Sequence, residues 1–166
     1  MDNSQTRVLL TGPTGFIGGR LLHALDEQAF KVRCLVRLSE KLTIKKPLKQ
    51  EPEVMYADLL QPETLPQAME GVDAAYYLVH SMGGKSIAET KAFAERDRQC
   101  ATNFLRAAEA AGLKRIIYLG GLGETGHGLS KHLASRQEVA EILQSGDVKT
   151  TALRAAVIIG AGGASF

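Results

Sequence analysis

Three glycines at a spacing of three, Gly12, Gly15 and Gly18, stand between a short apolar run and a segment of helical periodicity. The run before them, Arg7-Val8-Leu9-Leu10-Thr11, reads as a buried strand. After them Ile17, Leu21 and Leu25 recur every four residues with Leu22 beside them, which predicts one face of a helix. A strand that turns at once into a helix through glycines is a narrow specification. Gly12 suits the sharp turn out of the strand, Gly15 leaves backbone N–H groups open to a ligand's phosphates, and Gly18 lets the helix pack on the sheet. The start of the helix adds unpaired N–H groups and a positive dipole end. An ordinary glycine-rich turn is the alternative, but strand–helix units repeat along the rest of the chain. The run Gly18-Gly19-Arg20 lacks the Gly-Lys-Ser/Thr of a P-loop, so phosphates would meet backbone rather than lysine and magnesium.

Apolar runs at 32–36, 53–57, 74–79, 115–119 and 151–159 read as five further strands. Helical patterns lie between them. One short helix is opened by Pro62 and ended by Gly71. A long one at 87–111 carries Phe93, Cys100, Phe104, Ala107 and Ala111 as its core face, with Gly112 as cap. Another at 130–143 carries Leu133, Val139, Ile142 and Leu143. Such alternation predicts a mostly parallel sheet covered on both faces. With right-handed crossovers the solution is a Rossmann-type, doubly wound α/β fold, six strands in the order 3-2-1-4-5-6. The 166 residues suit one domain, 1–166, able to bury a core without disulfide or metal. The basic stretch 41–52, with Pro47 and Pro52, is expected to be a solvated loop.

A net charge of +2 gives no reason to expect a nucleic-acid or membrane partner. Aromatic residues at 5%, with no Trp, leave no base-stacking surface. Cys34 and Cys100 read as buried, reduced thiols, and no Cys/His spacing suits a metal. The first residues lack a signal-peptide pattern and no apolar run is long enough to span a bilayer, so the expected location is cytoplasmic.

The loop Thr11-Gly12-Pro13-Thr14-Gly15-Phe16-Ile17-Gly18 resembles the TGxTGxxG loop of extended and atypical short-chain dehydrogenases/reductases. That superfamily includes sugar-nucleotide epimerases and NmrA-like proteins. The likeness continues at Ala57-Asp58-Leu59, at Leu78-Val79-His80-Ser81 and along 152–160. Gly120-Gly121-Leu122-Gly123 and the stretch 132–139 are similar to a bacterial NAD(P)-binding subgroup labelled nucleoside-diphosphate-sugar epimerase-like. The resemblance implies a dinucleotide cofactor. Its phosphates would lie on Gly12, Thr14, Gly15, Phe16, Ile17 and Gly18, its adenine against Asp58 and Leu59, and its nicotinamide side near Val79 and Ser81, with His80 beside them. Strand two ends Leu35-Val36-Arg37 with no acid before Glu40. NAD enzymes place a carboxylate there, whereas a guanidinium binds a 2′-phosphate, so Arg37 points to NADP, with NAD the alternative. Asp58 has a second reading, as N-cap of the helix that Pro62 opens.

The superfamily's chemistry uses Tyr-x-x-x-Lys on the helix after strand five and a Ser at the strand's end. This chain has His132-x-x-x-Arg136 and Gly120-Gly121 instead. His132 can pass a proton near neutral pH, and Arg136 can hold a ribose or an anion but does not titrate. Their other reading is a surface His and an Arg paired with Glu138 or Glu141. Tyr76, Tyr77 and Tyr118 read as packing residues. Relatives continue past strand six into a region that closes over the substrate, so the chain is expected to lack a C-terminal substrate-binding region. Two functions follow: the NAD(P)-binding domain of an oxidoreductase or epimerase-like protein acting on an unknown small molecule, or a non-catalytic NADP-binding sensor or regulatory module. Relatives often pair through the helix read at 87–111, which leaves a homodimer open.

Overall fold

Strand β1 (Arg7–Thr11) sends Leu9 into one apolar core and Val8 and Leu10 into another. A strand buried on both faces belongs inside a covered sheet. In the computed structural model, which describes residues 3–37, 42–44, 46–80, 87–122 and 131–162, β1 is an inner strand of a six-stranded sheet ordered β3-β2-β1-β4-β5-β6. The others are β2 (Lys31–Val36), β3 (Glu53–Tyr56), β4 (Ala74–Tyr77), β5 (Arg115–Gly121) and β6 (Lys149–Ala155). Every pairing is parallel. The expected Rossmann-type order is therefore the observed one.

Helix α1 (Phe16–Glu27) packs Leu22 and Leu25 on Val8, Leu10 and Cys34. A 3-10 turn, Pro62–Thr64, leads into α2 (Leu65–Met69). With α3 (Ile87–Ala110) and α4 (Lys131–Gln144), α2 forms the larger core, around Leu65, Met69, Phe104, Val139 and Leu143. Tyr77 lies at its centre, edge-on to Phe104 at 4.9 Å and to Tyr118 at 6.0 Å between ring centroids. Both tyrosines are packing residues, as expected.

The structure corrects the sequence reading at four places, one being strand β4, which ends at Tyr77 rather than 79. Strand β6 ends at Ala155 rather than 159, because its partner ends at Gly121, in register with Ala155. Beyond it Val157 and Ile159 are 73% and 69% exposed. On α3 the deepest residues are Ala101, Phe104 and Ala108, while Cys100 is half-buried and Ala111 is exposed beyond the helix end. Within 41–52, Leu42, Ile44 and Leu48 pack against the α1 core rather than standing in solvent. The buried Asp26 carboxylate accepts from the backbone N–H groups of Lys49 and Gln50 at 2.7 and 2.9 Å, which pins that loop to α1.

Arg33, on β2, is buried with a purpose that its place in an apolar run conceals. Its Nε and Nη2 donate to the two Glu53 carboxylate oxygens at 2.8 and 3.0 Å, and its Nη1 donates to the carbonyls of Ala68 and Glu70. One guanidinium thus joins β2 to β3 and satisfies carbonyls at the end of α2. Glu53 is half-exposed and water can solvate it again, so the loss on Arg33→Ala falls mainly on the buried Ala68 carbonyl and its neighbours. The expected cost is about 2–4 kcal/mol, read from urea denaturation. A cost under about 0.5 kcal/mol, the range of ordinary surface changes, would show that water replaces these bonds.

Candidate functional site

Strands β1 and β4 pair as far as Leu10 opposite Tyr76. There Thr11, fully buried, donates its Oγ1 to the Tyr76 carbonyl at 3.0 Å and accepts from the Leu78 N–H at 2.9 Å. The hydroxyl stands in for main-chain ladder bonds, so the two strands part without leaving polar groups unpaired. The strand order reverses at this point, and such switch points are where ligands enter open α/β sheets.

Gly12 turns the chain out of β1 with φ +65°, a conformation that favours glycine. It lies against Leu78 and Val79: a Cβ built on it would come 3.5 Å from the Leu78 carbonyl oxygen and 3.7 Å from a Val79 methyl. The Gly15 N–H donates to the Gly12 carbonyl at 3.1 Å, and Gly15 is the N-cap of α1 without any side-chain cap. With no side-chain cap at Gly15 and no acid in the first turn, the leading N–H groups and the positive end of α1 suit an anion. Gly18 lies under the turn, where a Cβ would overlap the Gly12 carbonyl oxygen. Arg20 stacks 3.7 Å above the Phe16 ring and donates to the Ala161 carbonyl at 2.9 Å, so the segment after β6 crosses the start of α1.

Beside this loop lie the ends of β2 and β3. Arg37 is exposed just past β2. Asp58 is half-buried just past β3, and its Oδ1 accepts from Leu60 N–H at 2.9 Å. Its own N–H donates to Thr64 Oγ1 at 3.0 Å. The carboxylate thus shapes its own turn and does not cap the following helix, whose N-cap position is Gln61. Among the described residues Asp58 Oδ2 accepts no hydrogen bond. From α3, Asn103 Nδ2 donates to the Leu59 carbonyl at 2.8 Å. Burial pushes the nearby Cys100 thiol up to about 12, with Asp97 and Asp58 adding to the rise and Arg37 opposing it.

At the far side, β5 ends in Gly120 and Gly121. A Cβ at Gly121 would come 2.8 Å from Leu133 Cδ2, so glycine permits α4 to lie close. Tyr118 donates its hydroxyl to the Arg136 carbonyl at 3.1 Å, and burial raises its phenol to about 12, with Arg136 opposing the rise. A cleft of about 310 Å³ opens between α4 and the β5–β6 pair, lined by Tyr118, Gly121, Arg136, Ala140 and Leu153 among others. Arg136 Nε is buried there without a hydrogen-bond partner. The pairing of Arg136 with Glu138 or Glu141 is not made: Glu138 binds Arg98 at 2.7 Å, and Glu141 accepts from Gln137 at 2.9 Å.

A family model described as NAD(P)H-binding matches residues 12–160, from the glycine turn to the segment beyond β6. The chain belongs to this NAD(P)H-binding family. It is similar to the photosystem II assembly factor Ycf39 of Trieres chinensis, with 31% identity over 111 residues, 67% of this chain and 33% of that protein. It is also similar to the ceramide reductase of Caulobacter vibrioides, with 28% identity over 155 residues, 93% of this chain and 47% of that one. The chain thus spans a third to a half of the length of these curated relatives. Among solved structures, the UDP-glucose-4-epimerase of Stenotrophomonas maltophila with bound NAD superposes at a TM-score of 0.76. The identity is 16%, and the match covers 90% of this chain and 52% of that one, a likeness of fold. The family match and these relatives agree with the short-chain dehydrogenase/reductase superfamily that the glycine loop resembles.

In this NAD(P)H-binding domain Gly12, Thr14, Gly15, Phe16, Ile17, Gly18, Arg37, Asp58, Leu59 and Val79 all follow the C-terminal ends of β1 to β4. Arg136 stands apart from them, on α4. Ser81 and the side chain of His132 lie outside the described residues. Sequence reasoning missed Thr11 and Asn103. A signal for Thr11 existed, since a hydroxyl at the end of a buried strand needs partners.

Proposed function

We propose that the domain binds NADP across the C-terminal edge of its sheet, with the pyrophosphate on the N–H groups of residues 12–18. The observation that carries this reading is the glycine turn at the end of β1, where Gly12 takes φ +65° and Gly15 starts α1 without a side-chain cap. Adenine lies against Leu59 with its amino group donating to Asp58 Oδ2, and the nicotinamide side runs past Val79 to Ser81. When bound, the nicotinamide ring supplies or accepts hydride. Arg37 holds the 2′-phosphate by charge-assisted hydrogen bonds. Bonds of that kind contribute roughly 1.5–3 kcal/mol, or about ten- to a hundredfold in affinity. Calorimetric titration is expected to give NADP the lower Kd by at least about tenfold. Arg37→Ala is expected to remove that preference while leaving NAD binding within about twofold. Equal dissociation constants for the two cofactors in the unaltered chain would contradict the assignment.

The whole protein is proposed to be an oxidoreductase or epimerase-like enzyme whose substrate-binding region lies beyond this domain, in keeping with the greater length of its relatives. There His132 would pass the proton and Arg136 would hold an anionic or ribose group. A second reading, a cofactor-binding module without turnover, is favoured by Gly120 and Gly121 where the superfamily's Ser would stand and by Arg136 in place of Lys. Absorbance of the nicotinamide band on addition of carbonyl or alcohol substrates separates the two.

A further inference from the structure

The turn after β3 is held together mostly from within. Leu60 N–H binds Asp58 Oδ1 at 2.9 Å, Gln61 N–H binds the Asp58 carbonyl at 2.9 Å, and Thr64 Oγ1 donates to the Gln61 carbonyl at 2.7 Å. These bonds set the shape of the turn, whose ends are fixed by the Ala57 N–H on the Val36 carbonyl and by Leu65 in the core. Leu59 is buried between those ends, yet apolar burial is non-directional and does not by itself fix the angle of its carbonyl. Among the described residues, the side-chain bond that reaches the turn from α3 is Asn103 Nδ2 to the Leu59 carbonyl, 2.8 Å long and 44 residues away in sequence. A hydrogen bond to a carbonyl fixes both distance and angle.

We infer that Asn103 is a positioning residue for the adenosine half of the dinucleotide: by holding the Leu59 carbonyl against α3 it aims Asp58 Oδ2 at the adenine. The inference rests on the adenine assignment proposed above. Cys100, one turn earlier on α3, packs against the same core as Leu59, so this face of α3 stands behind the turn. Asn103 touches no ligand atom in this scheme and acts only through Leu59 and Asp58.

The test is a double-mutant cycle on NADP affinity, measured by calorimetry on the chain, Asn103→Ala, Asp58→Ala and the double variant, at a temperature where all four are folded. Asn103→Ala is expected to weaken NADP about tenfold. In the Asp58→Ala background the same change is expected to cost no more than about twofold, because the group being aimed is gone. A merely structural role lowers the melting temperature and gives additive losses. Should Asn103→Ala fail to fold, Asn103→Asp keeps the size and loses the donor. Unchanged affinity in the Asn103 variant, or additive losses, overturns the inference while leaving the adenine site standing. If the unaltered chain binds no NADP, or Asp58→Ala binds it as tightly, the adenine assignment fails and the inference fails with it.

Discussion

Gly15→Val is expected to weaken dinucleotide binding at least about a hundredfold while the domain stays folded. Gly15 has φ −76° and ψ 167°, extended backbone that valine adopts readily, so no conformational strain opposes the change. A Cβ there meets the Gly12 carbonyl oxygen at 3.3 Å, which asks for a small local adjustment. Valine is also a poor N-cap, and together these cost about 1 kcal/mol, or a few degrees in Tm. Its two methyl groups, however, occupy the space in front of the first N–H groups of α1, where the pyrophosphate is proposed to sit. Calorimetry with NADP and NAD reads the loss, and circular dichroism shows the retained fold. Undiminished affinity in this variant would remove the loop from the site.

Gly18→Ala sets two effects against each other, and their sizes decide the outcome. In a helix interior alanine is favoured over glycine by about 1 kcal/mol, so propensity alone predicts a gain. Against this, the new Cβ overlaps the Gly12 carbonyl oxygen and lies 2.8 Å from its carbonyl carbon and 3.0 Å from Pro13 Cα. All three are backbone atoms of the turn itself, so no side chain can swing aside. Helix α1 must back away from β1, loosening Leu22 and Leu25 in their core. Overpacking that shifts backbone costs about 1–3 kcal/mol, and a clash with backbone on three atoms puts this site at the top of that range. We expect a net loss of about 2 kcal/mol, close to 6 °C in Tm. A midpoint equal to that of the parent in urea would mean that the turn yields more easily than its geometry allows.

The two glycines also show how much of the molecule was legible in the sequence. Their spacing between an apolar strand and a periodic helix was enough to place β1, the turn and α1, and the repeated alternation gave the sheet order. Local pattern carries that information because burial on both faces and the hand of crossovers leave few solutions. What escaped depends on partners far away in sequence. Thr11 looks like an ordinary β-branched strand residue until β4 arrives beside it, 65 residues on. Arg33 looks like a charge misplaced in an apolar run until Glu53 and the end of α2 surround it. The loop after β2 was read by its lysines and prolines, whereas Leu42, Ile44, Leu48 and Asp26 decide its position. Strand β6 was overextended because an apolar run reports hydrophobicity, while the length of a strand is set by its neighbour. The sequence offers Asp58 two uses, adenine contact and helix cap, and its bond to Leu60 shows a third.

The link from Arg20 to the Ala161 carbonyl has a consequence for the order in which the domain is made. The two residues are 141 positions apart, and Phe16 lies beneath both Arg20 and Gly160. At ribosomal speeds of about 5–20 residues per second, roughly 7–28 seconds separate the synthesis of Arg20 from that of its partner. The glycine turn and the first helix therefore emerge early, with the Arg20 stack on one side of Phe16 but the side that meets Gly160 uncovered until the segment after β6 has been added. On a growing chain the start of α1 is a partly apolar surface open to chaperones or to premature contacts until residues 160 and 161 arrive to close it.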